Sequence, residues 1–199
     1  MANDAKNVYV GKPVTGAVAT AAVGTTAPTS AGAQLSADWT ASGFVDEGGV
    51  TLSQSRSTTD LKAWGGTTVR TLLDEFTGTI KYSEMETTYE TMCRMVGPEN
   101  VVKTDADTTH GLQMKVSLKA ELPDPKAWCF SMKDGDRRLR IYIPNGQLTE
   151  VDDTTFVHNG AVKWGFTIKA NDDGNGNTII ILTDDGQVIS DTDTDTDAE

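Results

Sequence analysis

Between residues 37 and 189 the chain is dominated by segments in which apolar and polar side chains alternate. This period of two is typical of β-strands that bury one face. The longest such segment is Thr67–Tyr82, which is rich in β-branched residues, and Gly78 within it indicates a bulge or bend. Further strands are predicted at Val50–Ser55, Leu112–Leu122, Trp128–Lys133, Arg138–Ile143, Val162–Ala170 and Thr178–Thr183. Turn dipeptides that favour antiparallel hairpins follow or separate these strands: Asp134-Gly135, Asn145-Gly146, Asn159-Gly160 and Asp185-Gly186.

One segment has a helical period instead. Over residues 84–96 the apolar side chains fall three and four positions apart, with threonines and glutamates on the opposite face. Ser83 followed by Glu86 fits a capping box at the start of a helix, and Gly97-Pro98 fits its end. The pattern therefore predicts a mainly β protein, an antiparallel β-sandwich or barrel with one flanking α-helix.

The two ends of the chain lack this order. Residues 1–36 are rich in Val, Ala, Thr and Gly, with two prolines. They fit either an extended N-terminal assembly arm that needs a partner surface or an edge strand of the same domain. Residues 190–199 repeat Asp-Thr, which predicts a solvated, disordered acidic tail. The predicted organisation is thus an arm at 1–36, a β-domain at 37–189 and a tail at 190–199.

The net charge of −12 is concentrated at the C-terminus. The segment from Asp184 to Glu199 contains seven acidic residues and no Lys or Arg, so the rest of the chain carries −5. A mildly acidic body is not typical of proteins that bind nucleic-acid phosphates. The one close arginine cluster, Arg137 to Arg140, lies beside two aspartates and is interpreted as a solvated or subunit-bridging strand rather than a DNA-binding patch.

Candidate chemistry is sparse. His110 and His158 each lie beside turn residues, and no nucleophile is placed next to an oriented base. Asn171–Asn177 has the composition of a calcium loop but not its glycine and glutamate positions. Cys93 and Cys129 lack metal or redox spacing and are predicted to be buried thiols. We therefore predict no catalytic, cofactor-binding or metal-binding residue, and no enzyme activity.

Neither a membrane segment nor an export signal is predicted. The longest apolar run, around Thr178–Leu182, has the length of a strand and not that of a bilayer-spanning helix. The first residues lack the basic region and apolar core of a signal peptide. We expect synthesis in a cytoplasm without export.

Several segments carry a more specific pattern. In chain order they are Val8–Pro13, Gly24–Thr29, Gly43–Ser53, Arg56–Gly66 and Thr68–Arg70. Together with the Glu86-x-x-x-Glu90 motif of the predicted helix, they resemble the major tail protein, or tail tube protein, of siphophages that infect actinobacteria. The resemblance extends over about residues 8–183 and leaves the Asp-Thr tail outside it.

The resemblance implies a structural virion protein that uses no cofactor. Six subunits would form a ring, and the rings would stack into a hollow tail tube that conducts DNA into the host cell. The implied partners are other copies of the chain, a tape measure protein in the lumen, and tail terminator and tail tip proteins. DNA would pass through transiently, and no membrane partner is implied. The implied location is the virion, after synthesis in the host cytoplasm.

The resemblance and the residue pattern together select candidate contact residues. For contacts between rings or subunits they are Val8, Tyr9, Val10, Pro13, Arg56, Asp60, Lys62 and Trp64. Trp64 precedes two glycines and is either an aromatic anchor on a flexible loop or a core tryptophan at a strand end. Asp74 and Glu75 interrupt the longest strand, and one of them is expected to face the lumen, where a carboxylate repels DNA. The alternative is an ordinary solvent-facing acid on the outer surface.

Two other function classes fit a mainly β chain. A capsid decoration or carbohydrate-binding β-sandwich would need aromatic side chains grouped on a concave face, and the four tryptophans are scattered along the sequence. A hydrolase on a β scaffold would need a nucleophile and a base at matched positions, which the sequence does not present.

Overall fold

The computed structural model describes residues 7–188 and contains ten strands and one α-helix. The strands are β1 (Pro13–Ala22), β2 (Thr40–Ala41), β3 (Val45–Lys62), β4 (Thr68–Glu84), β5 (Val101–Thr104), β6 (Gln113–Val116), β7 (Lys126–Asp134), β8 (Arg137–Val151), β9 (Trp164–Ala170) and β10 (Ile180–Asp184). The helix α1 (Tyr89–Val96) follows β4. This architecture confirms the predicted mainly β fold class with one helix. The predicted acidic tail at 190–199 lies outside the described residues.

Eight of the strands form one antiparallel sheet. Its order is β2-β1-β7-β8-β9-β4-β3, and β10 also pairs with β8. The long strand β8 pairs with β10 through its first half and with β9 through its second half. The remaining strands, β5 and β6, form a separate hairpin beside α1.

The sheet curls around one core. Tyr82 on β4 contacts Trp128 and Phe130 on β7, with ring centroids 6.1 and 5.4 Å apart. Two strands, β8 and β9, lie between β4 and β7 in the sheet order. The contacts are therefore made across the interior of an open barrel, which is closed further by α1.

A second apolar cluster covers the opposite face of β1, β7 and β8. Its centre is Trp39, whose ring lies 6.1 Å from that of Tyr142 in an edge-on arrangement. Strand β8 is thus buried on both faces, since Ile141 and Ile143 point into the main core. The chain between β1 and β2 supplies this second layer.

The arginine cluster holds that connecting segment in place. Arg140 donates to the carbonyls of Ser30 and Ala33, at 3.1 and 2.7 Å, and Arg138 donates to that of Gly32 at 3.3 Å. Two of the clustered arginines therefore bind backbone within the chain, where the sequence suggested a solvated or subunit-bridging strand. These donors satisfy carbonyls of a segment that has no strand partner of its own.

Residues 1–36 were interpreted either as an assembly arm or as an edge strand of the same domain, and β1 bears on this question for residues 13–22. Pro13–Ala22 pairs with β7 inside the main sheet, and Val18 is fully buried. These residues form a strand of the domain and not a separate arm. Ala17, Ala19 and Ala21 are also buried. Because alanine is small and only weakly apolar, these residues produce little of the alternation in hydrophobicity that predicts a strand.

The helix begins later than residues 84–96 predict. Glu84 still belongs to β4, where it pairs with Trp164 of β9. The N-cap is Thr88, whose hydroxyl accepts a hydrogen bond from the N–H of Thr91 at 3.2 Å. The prediction of a capping box at Ser83 was wrong, because the sheet extends past that position.

Two other local predictions were also wrong. Asn145-Gly146 was predicted as a turn but lies inside β8. Gly146 is required there for a different reason: a Cβ at this position would lie 2.5 Å from the Trp128 ring. The predicted strand Leu112–Leu122 is reduced to β6, and the remaining residues form a loop.

Candidate assembly interface

The β3–β4 hairpin projects beyond the rest of the sheet. The last pair between β4 and β9 is Gly78 with Ala170, and from there to the turn the two strands pair only with each other. Gly78 lies opposite Gln54, so about eleven residues of β3 and its turn project, a length of roughly 35 Å. Residues 53–75 are all exposed. Most of the contact segment 56–66 is therefore strand, and only its last residues form the turn.

The outer edge of β3 has no partner among the described residues. The strand is 18 residues long and pairs with β4 alone. Its central stretch, Val50–Ser55, contains no proline and no charged side chain. Such an edge presents unpaired N–H and C=O groups and is a template for pairing with another chain.

From Thr51 to Ser57 one face of the hairpin is wholly polar, and nearer the tip the same face also carries Leu61 and Leu72. Opposite pairs on this outer polar face are Thr51 with Lys81, Ser53 with Thr79, Ser55 with Thr77, and Ser57 with Glu75. The other face carries Val50 and Leu52, which pack against the main core. The alternation therefore gives the hairpin one solvent-facing surface and one core-facing surface.

A β-bulge brings Asp74 and Glu75 to the outer polar face. Ser57 pairs with Glu75 while the next residue of β3 pairs with Leu73, so β4 holds one extra residue, Asp74. The Asp74 carboxylate accepts a 2.7 Å hydrogen bond from the hydroxyl of Thr59, which shares a face with Ser57. Both carboxylates thus lie on one face, where strand alternation alone predicts opposite faces.

Trp64 lies at the tip of the hairpin and is fully exposed, which excludes the alternative of a core tryptophan. The two glycines that follow have positive φ angles of 128° and 87°, as a tight turn requires. Asp60 accepts hydrogen bonds from the hydroxyls of Thr71 and Thr68, which cross-link the strands near the tip. Nothing within the described chain covers the indole.

The other predicted contact residues in this hairpin lie along β3. The Arg56 guanidinium lies 4.9 Å from the centre of the Phe76 ring, in a cation–π contact across the strand pair. Lys62 is the last residue of β3 and is exposed. These two cations and Asp60 therefore belong to the paired strands of the projecting hairpin.

Val8, Tyr9, Val10 and Pro13 lie at the opposite side of the sheet order, beside β7. Val8 and Val10 are exposed, whereas Tyr9 is half-buried under the Arg137 guanidinium, 5.8 Å from its ring centre. Pro13 begins β1 and pairs with Met132. The two groups of predicted contact residues therefore lie on two separate surfaces.

Asp134 attaches this N-terminal segment to the β7–β8 turn. Its carboxylate accepts hydrogen bonds from the Lys12 ammonium at 3.3 Å and from the N–H of Val10 at 3.2 Å. The Lys12 ammonium and the Val10 N–H hold the pKa of Asp134 below its usual value. Arg137 adds a hydrogen bond to the carbonyl of Val8 at 2.9 Å.

A buried ion pair, which the sequence analysis did not find, joins the hairpin to the helix. Glu84 at the end of β4 and Arg94 on α1 are 3.2 Å apart and only 1% and 2% exposed. The Tyr82 hydroxyl and the Thr91 hydroxyl each donate to the Glu84 carboxylate, at 2.9 and 2.7 Å. Burial, and next the nearby Glu84 charge, raise the pKa of Tyr82 well above 10.

Arg94 extends the same network to β1 and β2. It donates to the hydroxyl of Thr20 and to the carbonyl of Thr40, at 3.3 and 3.2 Å. One arginine thus ties four elements together at the base of the projecting hairpin. The sequence contains only a weak indication of this ion pair. Arg94 is a single cation on the buried helix face that also carries Thr91 and Met95.

No group of three His, Cys, Asp or Glu side chains within 7–188 is placed to hold a metal ion. Cys93 and Cys129 are free and buried, as predicted, and burial raises the pKa of the Cys129 thiol. Over the same residues no helix has the length and apolarity needed to cross a membrane.

The fold and this surface define a class of protein. The described chain is a β-structured subunit whose sheet has unpaired strand edges along the projecting hairpin, and its fully exposed tryptophan lies at the tip of that hairpin. Trp39 and Trp128 are buried and Trp64 lies alone at the tip, so the four tryptophans are not grouped on one exposed face.

The family follows from the comparison with known proteins. A family model described as phage tail tube protein matches residues 1–191, and the chain belongs to that family. It is a structural component of a phage tail tube and not an enzyme, as the resemblance predicted. No curated protein sequence matches the chain. Among solved structures, a chain in the cryo-EM structure of the anti-feeding prophage cap (AFP tube terminating cap) is similar, with a TM-score of 0.43 and 12% identity over 92% of this chain and 100% of that chain.

Proposed function

We propose that six copies of this chain form a closed ring, and that stacked rings form the hollow tube that conducts phage DNA into the host cell. The observation that carries the proposal is the unpaired edge of β3 on a hairpin that projects roughly 35 Å from the sheet. An exposed edge of this length is an aggregation hazard in a protein that works alone. In a ring, each β3 edge pairs with a neighbouring copy, and closure removes all such edges.

In this proposal the outer polar face of the hairpin lines the lumen. This face carries mostly hydroxyl side chains, which are well hydrated. Such a surface offers duplex DNA no base-specific contacts. Asp74 and Glu75 add two carboxylates on that face, and duplex DNA carries one negative charge per about 1.7 Å. Repulsion keeps the DNA from binding to the wall as it moves.

Reversing the charge of both carboxylates tests the lumen assignment. The double variant Asp74→Lys/Glu75→Lys should still form tubes, because both side chains are exposed, but DNA ejection should slow by roughly an order of magnitude. The measurement is the ejection rate from assembled phage after receptor triggering. Asp105→Lys/Asp124→Lys is the matched control, with the same charge change at exposed sites away from the hairpin. Equal ejection rates in the two variants would remove Asp74 and Glu75 from the lumen.

The remaining partners are proposed from the family to which the chain belongs. Before ejection a tape measure protein occupies the lumen, and tail terminator and tail tip proteins bind the two ends of the tube. The segment with Val8, Tyr9, Val10 and Pro13 contributes to stacking between rings, since its valines are exposed beside β7. The protein is synthesised in the host cytoplasm and ends in the virion.

Negative-stain electron microscopy of the purified chain tests the proposal. Hollow tubes or six-fold rings are expected, at a concentration that favours association. Discrete particles without a lumen would instead support a capsid decoration or binding module. A protein that stays monomeric both in solution and in isolated phage tails would overturn the proposal.

A further inference from the structure

An apolar groove of about 730 Å³ opens between α1, the β5–β6 hairpin and the end of β8. Its floor is lined by Met95, Met114, Leu148, Phe156 and Trp164. Phe156 exposes 73% of its surface although it lines the groove, 6.4 Å from the Trp164 ring. A groove of this size falls within the range of about 300–1,000 Å³ that encloses small ligands or large side chains.

The rim of the groove is acidic. Glu121, Glu150, Asp152 and Asp153 line it, against a single cation, Lys119. Asp153 has no ion-pair partner among the described residues, and Glu150 has only an exposed contact to Lys81 at 3.8 Å. The groove therefore favours an occupant that is apolar at its centre and basic at its margin.

The hairpin tip, residues 59–72, has that character. Its exposed apolar side chains are Leu61, Trp64, Val69 and Leu72. Lys62 and Arg70 flank them and form no ion pair within 7–188, whereas the one acid, Asp60, is already bonded to two threonine hydroxyls. The tip is thus basic and apolar, and a protruding tryptophan leads it.

The tip and the groove of one subunit cannot meet. Trp164 in the groove pairs with Glu84 at the C-terminal end of β4, whereas the tip is at the N-terminal end of the same strand. β4 has 17 residues, so the two sites are separated by roughly 50 Å along a paired ribbon. Contact between them requires a second copy, and such a head-to-tail contact repeats from subunit to subunit.

We propose that the occupant of the groove is the hairpin tip of a neighbouring copy, with Trp64 on the apolar floor and Lys62 and Arg70 beside the rim carboxylates. This inference rests on the proposed self-assembly and assigns it a specific contact. A buried indole surrounded by a charged rim has the anatomy of an interface hot spot. Backbone hydrogen bonds along the β3 edge do not by themselves fix how two copies are aligned. The contact between the tip and the groove then determines the register of one copy against the next.

Truncating Trp64 is the first test. Trp64→Ala should raise the critical concentration for tube formation at least about tenfold, and Trp64→Phe should raise it less. Phe44→Ala is the control, because Phe44 is also an exposed aromatic residue but lies outside both the tip and the groove. Circular dichroism of the subunit should be unchanged in all three. A Trp64→Ala protein that assembles at the wild-type concentration would overturn the inference.

Charge exchange tests the rim. Lys62→Glu/Arg70→Glu and Glu150→Lys/Asp153→Lys should each raise the critical concentration. A chain with all four substitutions should assemble closer to wild type, because the reversed tip then faces a reversed rim. A fourfold variant that assembles no better than the two double variants would contradict the contact.

Cross-linking locates the contact directly. Ala63→Cys beside Trp64, combined with Leu122→Cys on the groove, should give a ladder of disulfide-linked multimers from assembled tubes under oxidation. Each single variant should give none, since the native thiols at 93 and 129 are buried. Normal tubes without a ladder would reject the tip–groove contact alone. Wild-type protein that forms no ring or tube would instead reject the proposed function.

Discussion

Arg94→Met should lower the free energy of unfolding of the subunit by about 3–5 kcal/mol. The substitution leaves the Glu84 carboxylate 1% exposed and without its cation, held only by the hydroxyls of Tyr82 and Thr91. Removing one partner of a buried pair costs more than removing both, because the remaining charge stays out of water. Urea unfolding of the subunit, at a concentration below that of assembly, measures the change.

Two variants separate this effect from lost packing. Glu84→Gln/Arg94→Met has no buried charge and keeps a side-chain oxygen for Tyr82, so it should be more stable than Arg94→Met alone. Lys81→Met breaks an ion pair on the same strand whose side chains are 53% and 62% exposed, and should cost at most about 1 kcal/mol. If Arg94→Met costs no more than Lys81→Met, the buried pair does not hold the base of the hairpin.

A proline on the open edge of β3 should abolish tube formation while the subunit still folds. N–H groups along a strand point alternately to the two sides, so Ser53→Pro and Gln54→Pro remove donors on opposite sides of β3. One of them loses a hydrogen bond to β4 and the other loses a donor on the open edge, where proline is tolerated in a folded sheet. Thermal unfolding of the two subunits identifies which is which.

The variant that keeps the higher melting temperature is the informative one. Its subunit is intact but its edge can no longer complete a ladder with a second copy, so no tubes should form at concentrations where wild type polymerises. The other variant serves as the control for a general effect of proline in this segment. Tubes from the stable variant at the wild-type concentration would mean that the β3 edge does not contribute to assembly.

The sheet was predictable from the sequence where one face of a strand is buried. The alternation over Thr67–Tyr82 located β4 to within two residues, and Asp134-Gly135 marked the β7–β8 turn. The alternation of apolar and polar residues did not predict strands whose two faces are both buried or whose side chains are small. Pro13–Ala22 was ambiguous because its buried residues are mostly alanines. The start of α1 was missed because strand pairing held Glu84 in the sheet despite a capping pattern.

The sequence proposes residues for the candidate site but does not give their geometry. Trp64 was selected because two glycines follow it, whereas its position at the end of a long ribbon depends on where β9 stops pairing, which no local pattern encodes. Asp74 and Glu75 were identified from their place in a long strand, and the bulge that brings them to one face is visible only in the register of β3 with β4. The groove is assembled from α1, β6 and β8, so no single segment of sequence predicts it.

Amide hydrogen exchange along β3 in subunits and in assembled tubes tests the central claim most directly. In the free subunit, the N–H groups of Val45–Lys62 that point away from β4 should exchange rapidly, because the edge is open. In tubes, those same groups should become protected by orders of magnitude, while the amides of β7 in the core should change little. Equal exchange along β3 in the two states would contradict the claim that this edge is completed by a second copy of the chain.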